Sequence, residues 1–297
     1  MLKPEGIIPA MVTPFDDREQ VNEQALRDLV ERLICAGVHG VFCLGTNGEF
    51  YALSFDEKVR ITEIVADQVR RRVPVYAGAG CITTEETIRL AKRLEAAGAD
   101  ALSIITPYFL TFSQRELINH YLRIADATSL PIVLYNFPAR TGNALQPATV
   151  ARLAEVPHIV GIKDSSGSYD TILQYLDAVP DDFSVLAGTD SLILATLMAG
   201  GKGAIAATAN VFPETVVSIY EHWKNGDFVR AEEAQRALRA LRRAFPKGTL
   251  PSVLKRVLEM VGVPVGPARA PVEPVSPEVE RELEEMLEEY KKNGLLA

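Results

Sequence analysis

The sequence predicts an α/β protein, a (β/α)₈ or TIM barrel with a C-terminal helical appendage. Short apolar runs alternate with amphipathic segments of about ten to fifteen residues, which is the rhythm of βα units around a parallel sheet. Eight such units occur in succession, and they occupy about 225 residues, the size of a closed barrel. The alternative is an open, doubly wound sheet, which requires a reversal of strand order that the sequence does not reveal.

The predicted strands are the short apolar runs, which suit a parallel sheet covered on both faces. In chain order these runs are Gly6–Phe15, Val38–Gly45, Pro74–Gly80, Ala101–Pro107, Pro131–Phe137, Ile159–Ser165, Phe183–Gly188 and Gly203–Thr208. The first predicted helix is capped by Asn22 and ended by Gly37, and its apolar residues follow helical spacing. The same pattern repeats after Phe55, Thr84, Gln114, Pro147, Asp170 and Leu192.

After the eighth strand, helical segments follow one another without intervening strands. The sequence therefore divides into a barrel over residues 1–225, which carries the catalytic residues described below, and a C-terminal helical region over residues 226–297. The predicted segments here are a helix over Pro213–Asn225, a helix over Phe228–Phe245, an extended proline-rich chain from Pro264 to Pro277, and a last helix that Ser276 caps.

Composition and charge exclude several classes of partner. The chain has 297 residues, of which 47% are apolar, and its net charge is −8. With no basic surplus to neutralise phosphates, nucleic acid and anionic membranes are not expected as partners, and a small molecule is. The arginine-rich segment Arg236–Arg243 resembles an RNA-binding helix, but its leucines and alanines recur at helical spacing, so we expect a solvated surface or a subunit contact.

The cysteines and the N-terminus indicate a cytoplasmic protein. Cys35, Cys43 and Cys81 form no CxxC pair, and we expect them to be reduced residues of the core. The N-terminal residues lack the apolar region of a signal peptide, and no apolar stretch reaches membrane-spanning length.

Lys163 is the residue that points most directly to chemistry. It follows the apolar run Ile159–Ile162 and precedes the polar residues Asp164–Gly167, where a buried strand opens into a loop. Burial there favours the neutral amine, and a neutral amine is a nucleophile that forms Schiff bases with ketones. The alternative is a lysine that extends toward solvent or pairs with Asp164.

Two other strand ends carry residues suited to the same site. The turn Gly45–Glu49 holds Thr46 and Asn47 between glycines, and its backbone N–H groups and side chains suit a carboxylate. After the fifth strand, Tyr135 can relay protons and Arg140 can bind an anion. In isolation, an ordinary turn, a core tyrosine and a surface arginine explain these residues equally well.

Together the three strand ends resemble the family of dihydrodipicolinate synthase and N-acetylneuraminate lyase, the pyruvate-dependent Schiff-base lyases, or class I aldolases. The resemblance covers the whole chain and includes Gly6–Phe15, Gly200–Ile205 and Thr208–Asn210. It implies that Lys163 forms the Schiff base with pyruvate, that Tyr135 is the proton-shuttling acid and base, and that Thr46 passes protons onward.

The resemblance also implies further roles and an assembly. Asn47 takes the place of the usual Thr or Ser that binds the pyruvate carboxylate, and Ile205 is assigned to substrate binding. Gly188 and Asp190 match positions that hold sugar hydroxyls in the lyase branch, although a helix N-cap explains Asp190 as well. A homotetramer, a dimer of dimers, is expected, with no metal and no organic cofactor.

The second substrate is where the sequence departs from the synthase pattern. In the synthase, two adjacent tyrosines follow strand four, and the second crosses the subunit interface to complete a hydroxyl relay; here they are Tyr108 and Phe109. Phe109 cannot transfer a proton, which argues against the synthase reaction. The segments Gly45–Phe50 and Tyr135–Pro138 look closer to members that cleave or form hydroxylated 2-oxo acids, such as a 2-keto-3-deoxy sugar acid or 4-hydroxy-2-oxoglutarate. Arg140 matches the residue that holds aspartate semialdehyde, which favours the synthase. We expect the aldolase, with the synthase as the alternative.

Two further functions are less well supported by the sequence. A catalytically silent sugar-acid-binding barrel is disfavoured because Lys163, Tyr135 and Thr46 are all retained. Gly200–Gly203 also resembles a phosphate cradle, but the resemblance assigns this run to the Schiff-base family, so a phosphate-ester substrate is not indicated.

Synthases of this family are often inhibited by lysine at a subunit interface. Because Phe55 and Ile82 replace the histidine and asparagine of that site, while Glu86 and Tyr108 are retained, we expect no lysine inhibition.

Overall fold

The computed structural model describes residues 2–294 and places eight parallel strands in one barrel. The strands are β1 (Gly6–Pro9), β2 (Val41–Cys43), β3 (Val75–Gly78), β4 (Ala101–Ile105), β5 (Ile132–Asn136), β6 (Ile159–Asp164), β7 (Ser184–Ala187) and β8 (Gly203–Ala206). From β2 to β8 each strand pairs with its sequence neighbour, β8 pairs with β1, and the parallel bridge Ala10–Phe42 joins the end of β1 to β2. Between β1 and β2, the Met11 N–H donates to the Phe42 carbonyl at 2.9 Å and the His39 N–H to the Ile7 carbonyl at 2.8 Å. The predicted barrel is confirmed.

The helices alternate with the strands and then continue beyond them. Around the barrel lie α1 (Glu23–Cys35), α2 (Phe55–Val69), α3 (Thr84–Ala96), α4 (Gln114–Ala125), α5 (Pro138–Thr141), α6 (Pro147–Ala154), α7 (Tyr169–Ala178), α8 (Ile193–Met198) and α9 (Pro213–Lys224). The C-terminal helices are α10 (Phe228–Ala237), α11 (Arg239–Ala244), α12 (Ser252–Met260) and α13 (Pro277–Lys292). The predicted caps are present, since the Asn22 side chain accepts from the Ala25 N–H and Ser276 from the Val279 N–H.

The C-terminal region differs from the prediction in its helix boundaries. The helix predicted over Phe228–Phe245 is two helices, because the Tyr290 hydroxyl inserts into its backbone ladder. That hydroxyl donates to the Ala237 carbonyl at 2.6 Å and accepts from the Leu241 N–H at 3.1 Å, replacing the bond those two groups would otherwise form. The short helix α5 and the helix α12 were not predicted as separate elements.

The core has two parts, one inside the barrel and one between strands and helices. The barrel interior is filled by Ile8, Ala10, Phe42, Tyr76, Ala101, Val133, Leu186 and Ile205. Outside it, α11 buries Leu241 and Ala244 and leaves Arg239 and Arg243 exposed, as the leucine and alanine spacing predicts. None of the helices within residues 2–294 is long and apolar enough to span a membrane.

The prediction that all three cysteines lie in the core is wrong for one of them. Cys43 and Cys81 are buried, but Cys35 is exposed. Cys35 lies in the last turn of α1, whose buried stripe ends at Leu33. A residue two positions further along a helix points to nearly the opposite side, so Cys35 faces solvent.

Candidate active site

An irregularity in β6 turns the Lys163 side chain toward the inside of the barrel. Ile132 pairs with Ile159, but the next residue of β5 pairs with Gly161, so Val160 is an extra residue in the strand. Such a bulge reverses the alternation of side chains beyond it. Consequently Ile159 and Ile162, three residues apart, both lie in the outer core, while Lys163 faces inward. Gly161 permits this path, since a Cβ there would lie 2.6 Å from the Ser184 carbonyl oxygen.

Lys163 is buried among aromatic rings rather than paired with an acid. Its side chain is 4% exposed. The Lys163 Nζ atom lies 4.1 Å from the centre of the Tyr135 ring and 5.2 Å from that of Phe42. These contacts hold the amine against the ring faces at the end of β6.

The neighbouring Asp164 points to the opposite side of the sheet and has other partners. Its Oδ1 accepts from the Asn136 side chain at 2.7 Å, and its Oδ2 accepts from the Ser166 hydroxyl at 2.6 Å. Burial raises the pKa of the Asp164 carboxyl, and these hydrogen bonds oppose that shift. No ion pair joins Lys163 to an acid within the described residues, so the paired-lysine alternative does not describe this structure.

Tyr135 and Thr46 connect opposite sides of the barrel mouth. Tyr135 lies beside Lys163 in the register of β5 and β6, is 4% exposed, and stacks on Phe137. The Tyr135 hydroxyl lies 3.1 Å from the Thr46 Oγ1 atom, which follows β2. Either hydroxyl can donate in this pair, so protons can pass between them in both directions. The structure thus brings together Lys163, Tyr135 and Thr46, which are far apart in sequence.

The β2 turn, residues 45–49, presents Thr46 and Asn47 at this mouth. The Glu49 N–H donates to the Thr46 carbonyl at 3.2 Å, and the Thr13 hydroxyl donates to the Gly48 carbonyl at 2.7 Å. Asn47 is 8% exposed. Glu49 adopts a φ of 56°, a left-handed conformation that is unfavourable for a residue with a Cβ atom. The turn is therefore held by contacts on several sides.

The other residues assigned to substrate binding lie in different environments. Arg140 is exposed on α5. The charge of Arg140 acts on a neighbouring phenol, that of Tyr51. Burial and then the charge of Glu49 raise the pKa of Tyr51 to about 12, and the charge of Arg140 opposes this shift. Ile205 fills the barrel interior. Gly188 allows β7 to approach β6, because a Cβ there would lie 2.2 Å from the Ser165 Oγ atom.

The Asp190 carboxylate binds backbone N–H groups that follow β8. It accepts from the Ala207 N–H at 3.2 Å and from the Thr208 N–H at 2.6 Å. It therefore caps the 3₁₀ turn Thr208–Asn210 after β8, not the helix that follows Asp190 itself. A role for Asp190 in binding sugar hydroxyls stays a prediction. Both oxygens of its carboxylate already accept hydrogen bonds from the backbone.

Phe109 stands out from the loop after β4. Its side chain is 88% exposed and its φ is 82°. The loop is nevertheless held firmly, because the Asn143 amide donates to the carbonyls of Pro107 at 2.9 Å and Leu110 at 2.7 Å. Tyr108 packs edge to face on Phe50, and burial raises the pKa of its phenol. An apolar side chain fixed in a strained, exposed position is typical of a contact with another molecule.

Sequence reasoning missed three contributions to the site. The rings of Phe42 and Phe137, which contact the Lys163 amine and Tyr135, lie in apolar runs that gave no signal beyond a strand. The ion pair of Glu49 with Lys255 joins residues 206 positions apart, so only folding reveals it. The bulge in β6 has one sequence signal, Gly161 within an apolar run.

Comparison with known proteins agrees with this arrangement. The model of the dihydrodipicolinate synthetase family matches residues 3–290. A 4-hydroxy-tetrahydrodipicolinate synthase from Methanopyrus kandleri is 46% identical over 295 residues, covering 98% of this chain and 97% of that protein.

Solved structures give the same result. The 4-hydroxy-tetrahydrodipicolinate synthase from Methylacidiphilum fumariolicum SolV matches with a TM-score of 0.95 and 34% identity over 99% of this chain and 100% of that one. YagE, a prophage protein from E. coli K12 that was solved in complex with pyruvate, matches with a TM-score of 0.93 and 35% identity over 97% of this chain and 98% of that one.

Proposed function

Because the chain belongs to the dihydrodipicolinate synthetase family, whose members are pyruvate-dependent class I aldolases and carbon–carbon lyases, we propose that it is a 4-hydroxy-tetrahydrodipicolinate synthase. In this proposal it condenses pyruvate with aspartate semialdehyde. The observation that carries it is the 46% identity, over nearly the whole chain, to a protein of that name. The relatives thus support the synthase, the alternative in the sequence analysis, over the aldolase.

The reaction begins at Lys163. Its neutral amine adds to the ketone carbon of pyruvate, and loss of water leaves an imine on Nζ. The buried position at the end of β6 supports this role, since few waters reach the amine to hydrolyse the imine. The protonated imine withdraws electrons from the methyl carbon, which then loses a proton to give an enamine. This electron sink makes a metal or an organic cofactor unnecessary.

Tyr135 and Thr46 move the protons. Water loss requires a proton donor at the carbinolamine oxygen, and enamine formation requires a proton acceptor at the methyl group. The Tyr135 hydroxyl serves both steps because its ring lies beside Nζ and its oxygen lies 3.1 Å from the Thr46 Oγ1 atom. The enamine carbon then attacks the aldehyde of aspartate semialdehyde, and the amine of that substrate displaces Lys163 from the imine.

The two carboxylates of the reactants have separate partners in this proposal. Thr46, Asn47 and the backbone of the β2 turn bind the pyruvate carboxylate, and Arg140 binds the carboxylate of aspartate semialdehyde. Arg140 lies on α5, directly after the strand that carries Tyr135, and its side chain is exposed. An exposed arginine suits a substrate that must enter and leave repeatedly.

A partner subunit completes the mouth in this proposal, in a dimer of dimers. The exposure and the φ of Phe109 support a neighbour that covers its ring. Since phenylalanine has no hydroxyl, the proton relay of this chain ends at Thr46 and does not continue into the partner.

The rate of condensation, compared with the rate of cleavage, distinguishes the synthase from the second candidate, the aldolase. We expect kcat/KM for pyruvate with aspartate semialdehyde to exceed that for cleavage of 2-keto-3-deoxygluconate by at least about tenfold. Arg140 provides a charged hydrogen bond worth about 1.5–3 kcal/mol to the semialdehyde carboxylate, and the deoxy sugar acid has only the carboxylate that the β2 turn binds. Cleavage of 4-hydroxy-2-oxoglutarate is measured separately, because its second carboxylate can also bind Arg140. Product formation is followed by mass spectrometry. The variant Phe109→Tyr should raise the synthase rate and leave cleavage unchanged. Faster cleavage than condensation by the unaltered protein would establish the aldolase instead.

Lysine is expected to have no effect on this protein. A lysine ligand needs charged or hydrogen-bonding partners to offset desolvation, and Phe55 and Ile82 provide none; the Phe55 ring is instead covered by the Arg89 guanidinium at 4.7 Å. Lysine at about 10 mM would saturate a site of millimolar affinity. It should change neither the activity nor the melting temperature of this protein. A ligand-dependent rise in Tm would contradict this expectation, because only binding to the folded state produces it.

A further inference from the structure

A buried ion pair joins the last residue of the β2 turn to the C-terminal region. The Lys255 Nζ atom of α12 lies 2.8 Å from Oε1 of Glu49, the last residue of the turn, and the two side chains are 2% and 0% exposed. Oε2 of Glu49 accepts from the Arg269 N–H at 2.8 Å. Both carboxylate oxygens of Glu49 are therefore held by residues that lie beyond the barrel in sequence.

Lys255 is itself held in one position. Its Nζ atom donates to the Pro267 carbonyl at 2.7 Å and lies 4.3 Å from the centre of the Phe15 ring. The Arg269 guanidinium covers the same ring at 4.3 Å and donates to the Ala52 carbonyl and to the Glu57 carboxylate. The ion pair is thus part of a rigid layer between the β2 turn and the proline-rich chain.

Such a pair is not needed for stability alone. Removing two charges from water costs several kcal/mol, and apolar residues of similar volume often stabilise a core equally well. Burial lowers the pKa of Lys255, while the charge of Glu49 opposes that shift. A fully buried carboxylate is rare among glutamates. Unlike an apolar pair, the ion pair fixes the position of the Glu49 carboxylate, on the residue that ends the β2 turn.

We propose that Glu49 and Lys255 are positioning residues, which hold Thr46 and Asn47 in the geometry that binds the pyruvate carboxylate. Glu49 occupies a left-handed conformation that a residue with a Cβ atom does not adopt without support. Its own N–H donates to the Thr46 carbonyl, so a shift of Glu49 moves Thr46 directly. The C-terminal region is then required for substrate binding. This inference rests on the proposed function of Lys163 and the β2 turn.

Trapping of the Schiff base by borohydride at rising pyruvate concentrations tests the pair. In Lys255→Met, the pyruvate concentration that gives half-maximal trapping should rise about tenfold, which corresponds to about 1.4 kcal/mol. The maximal trapping rate should fall by a smaller factor than this, because Lys163 and Tyr135 keep their positions and only the Thr46 end of the proton relay is displaced. All measurements are made well below the melting temperature of each variant.

Two further variants separate positioning from stability. Glu49→Gln/Lys255→Met leaves no unpaired buried charge, so its Tm should return toward that of the unaltered protein, yet its half-saturating pyruvate concentration should stay raised. This double variant also provides the test if Lys255→Met does not fold. Arg256→Met is the matched control, since the adjacent residue of α12 pairs with Glu280 on α13. It should lower Tm without altering the pyruvate dependence.

The outcomes are distinguishable. An unchanged pyruvate dependence in the folded double variant would overturn the positioning role and leave the Schiff base intact. Absence of any trapping in the unaltered protein would instead overturn the proposed function.

Discussion

Replacement of Lys163 by alanine is expected to lower turnover about 10⁴-fold or more, because it removes the nucleophile on which every covalent step depends. No other amine takes its place at the mouth in this account, so exogenous pyruvate should leave no reducible adduct on the variant. The fold should survive, since Lys163 is surrounded by rings and takes part in no ion pair among the described residues. Steady-state turnover and a melting curve check both statements.

Lys202→Ala is the matched control for this experiment. Lys202 precedes β8, and its carbonyl accepts from the Gly6 N–H, which places it at the end of the barrel opposite the candidate site. Its removal should leave turnover within about twofold of the unaltered protein, as expected for a half-buried position remote from the chemistry. A comparable loss in both variants would show that the effect arises from the fold and not from the Lys163 amine.

Replacement of Tyr135 by phenylalanine should lower turnover about 10²–10⁴-fold, the usual contribution of a positioned acid and base. The change removes one oxygen, the atom that lies 3.1 Å from the Thr46 Oγ1 atom, and keeps the ring that contacts Lys163. Borohydride should therefore still trap some imine, but slowly, because water loss and proton removal both need the missing hydroxyl. Thr46→Val should show a smaller loss, since the phenol remains.

Tyr121→Phe controls for the loss of a buried phenol. The Tyr121 hydroxyl donates to the Ile104 carbonyl at 3.1 Å, outside the candidate site. Its removal should reduce the free energy of unfolding by about 1–3 kcal/mol, the cost of leaving a buried acceptor unpaired, with turnover unchanged. If Tyr135→Phe retained full turnover while Tyr121→Phe behaved as stated, the proton-transfer role of Tyr135 would be refuted.

The barrel was predictable because its signal is repeated eight times. Each apolar run contains one of the observed strands, from Gly6–Pro9 to Gly203–Ala206, and each predicted helix start lies at or next to an observed one. The C-terminal region was less predictable because its boundaries depend on tertiary contacts. The break at Leu238 is caused by the hydroxyl of Tyr290, 52 positions away, which no local pattern reveals.

The position of the candidate site was predictable, but its internal geometry was not. In a barrel the carboxyl ends of the strands converge, so the proximity of Thr46, Tyr135 and Lys163 follows from the fold. The inward orientation of Lys163 depends on the extra residue Val160, whose effect on strand phase appears only when the pairing of β5 and β6 is known. The preference for the aldolase rested on Phe109 and on two short segments, which were a weaker guide than similarity over the whole chain.

Peptide mapping after incubation with pyruvate and borohydride tests the central claim most directly. We expect one peptide, containing Lys163, to gain the mass of pyruvate less one water plus two hydrogens. The modification should appear only when pyruvate and borohydride are both present, and turnover should fall in proportion to the fraction modified. An unmodified Lys163 peptide in protein that is otherwise fully active, or a label on another lysine that inactivates it, would contradict the account.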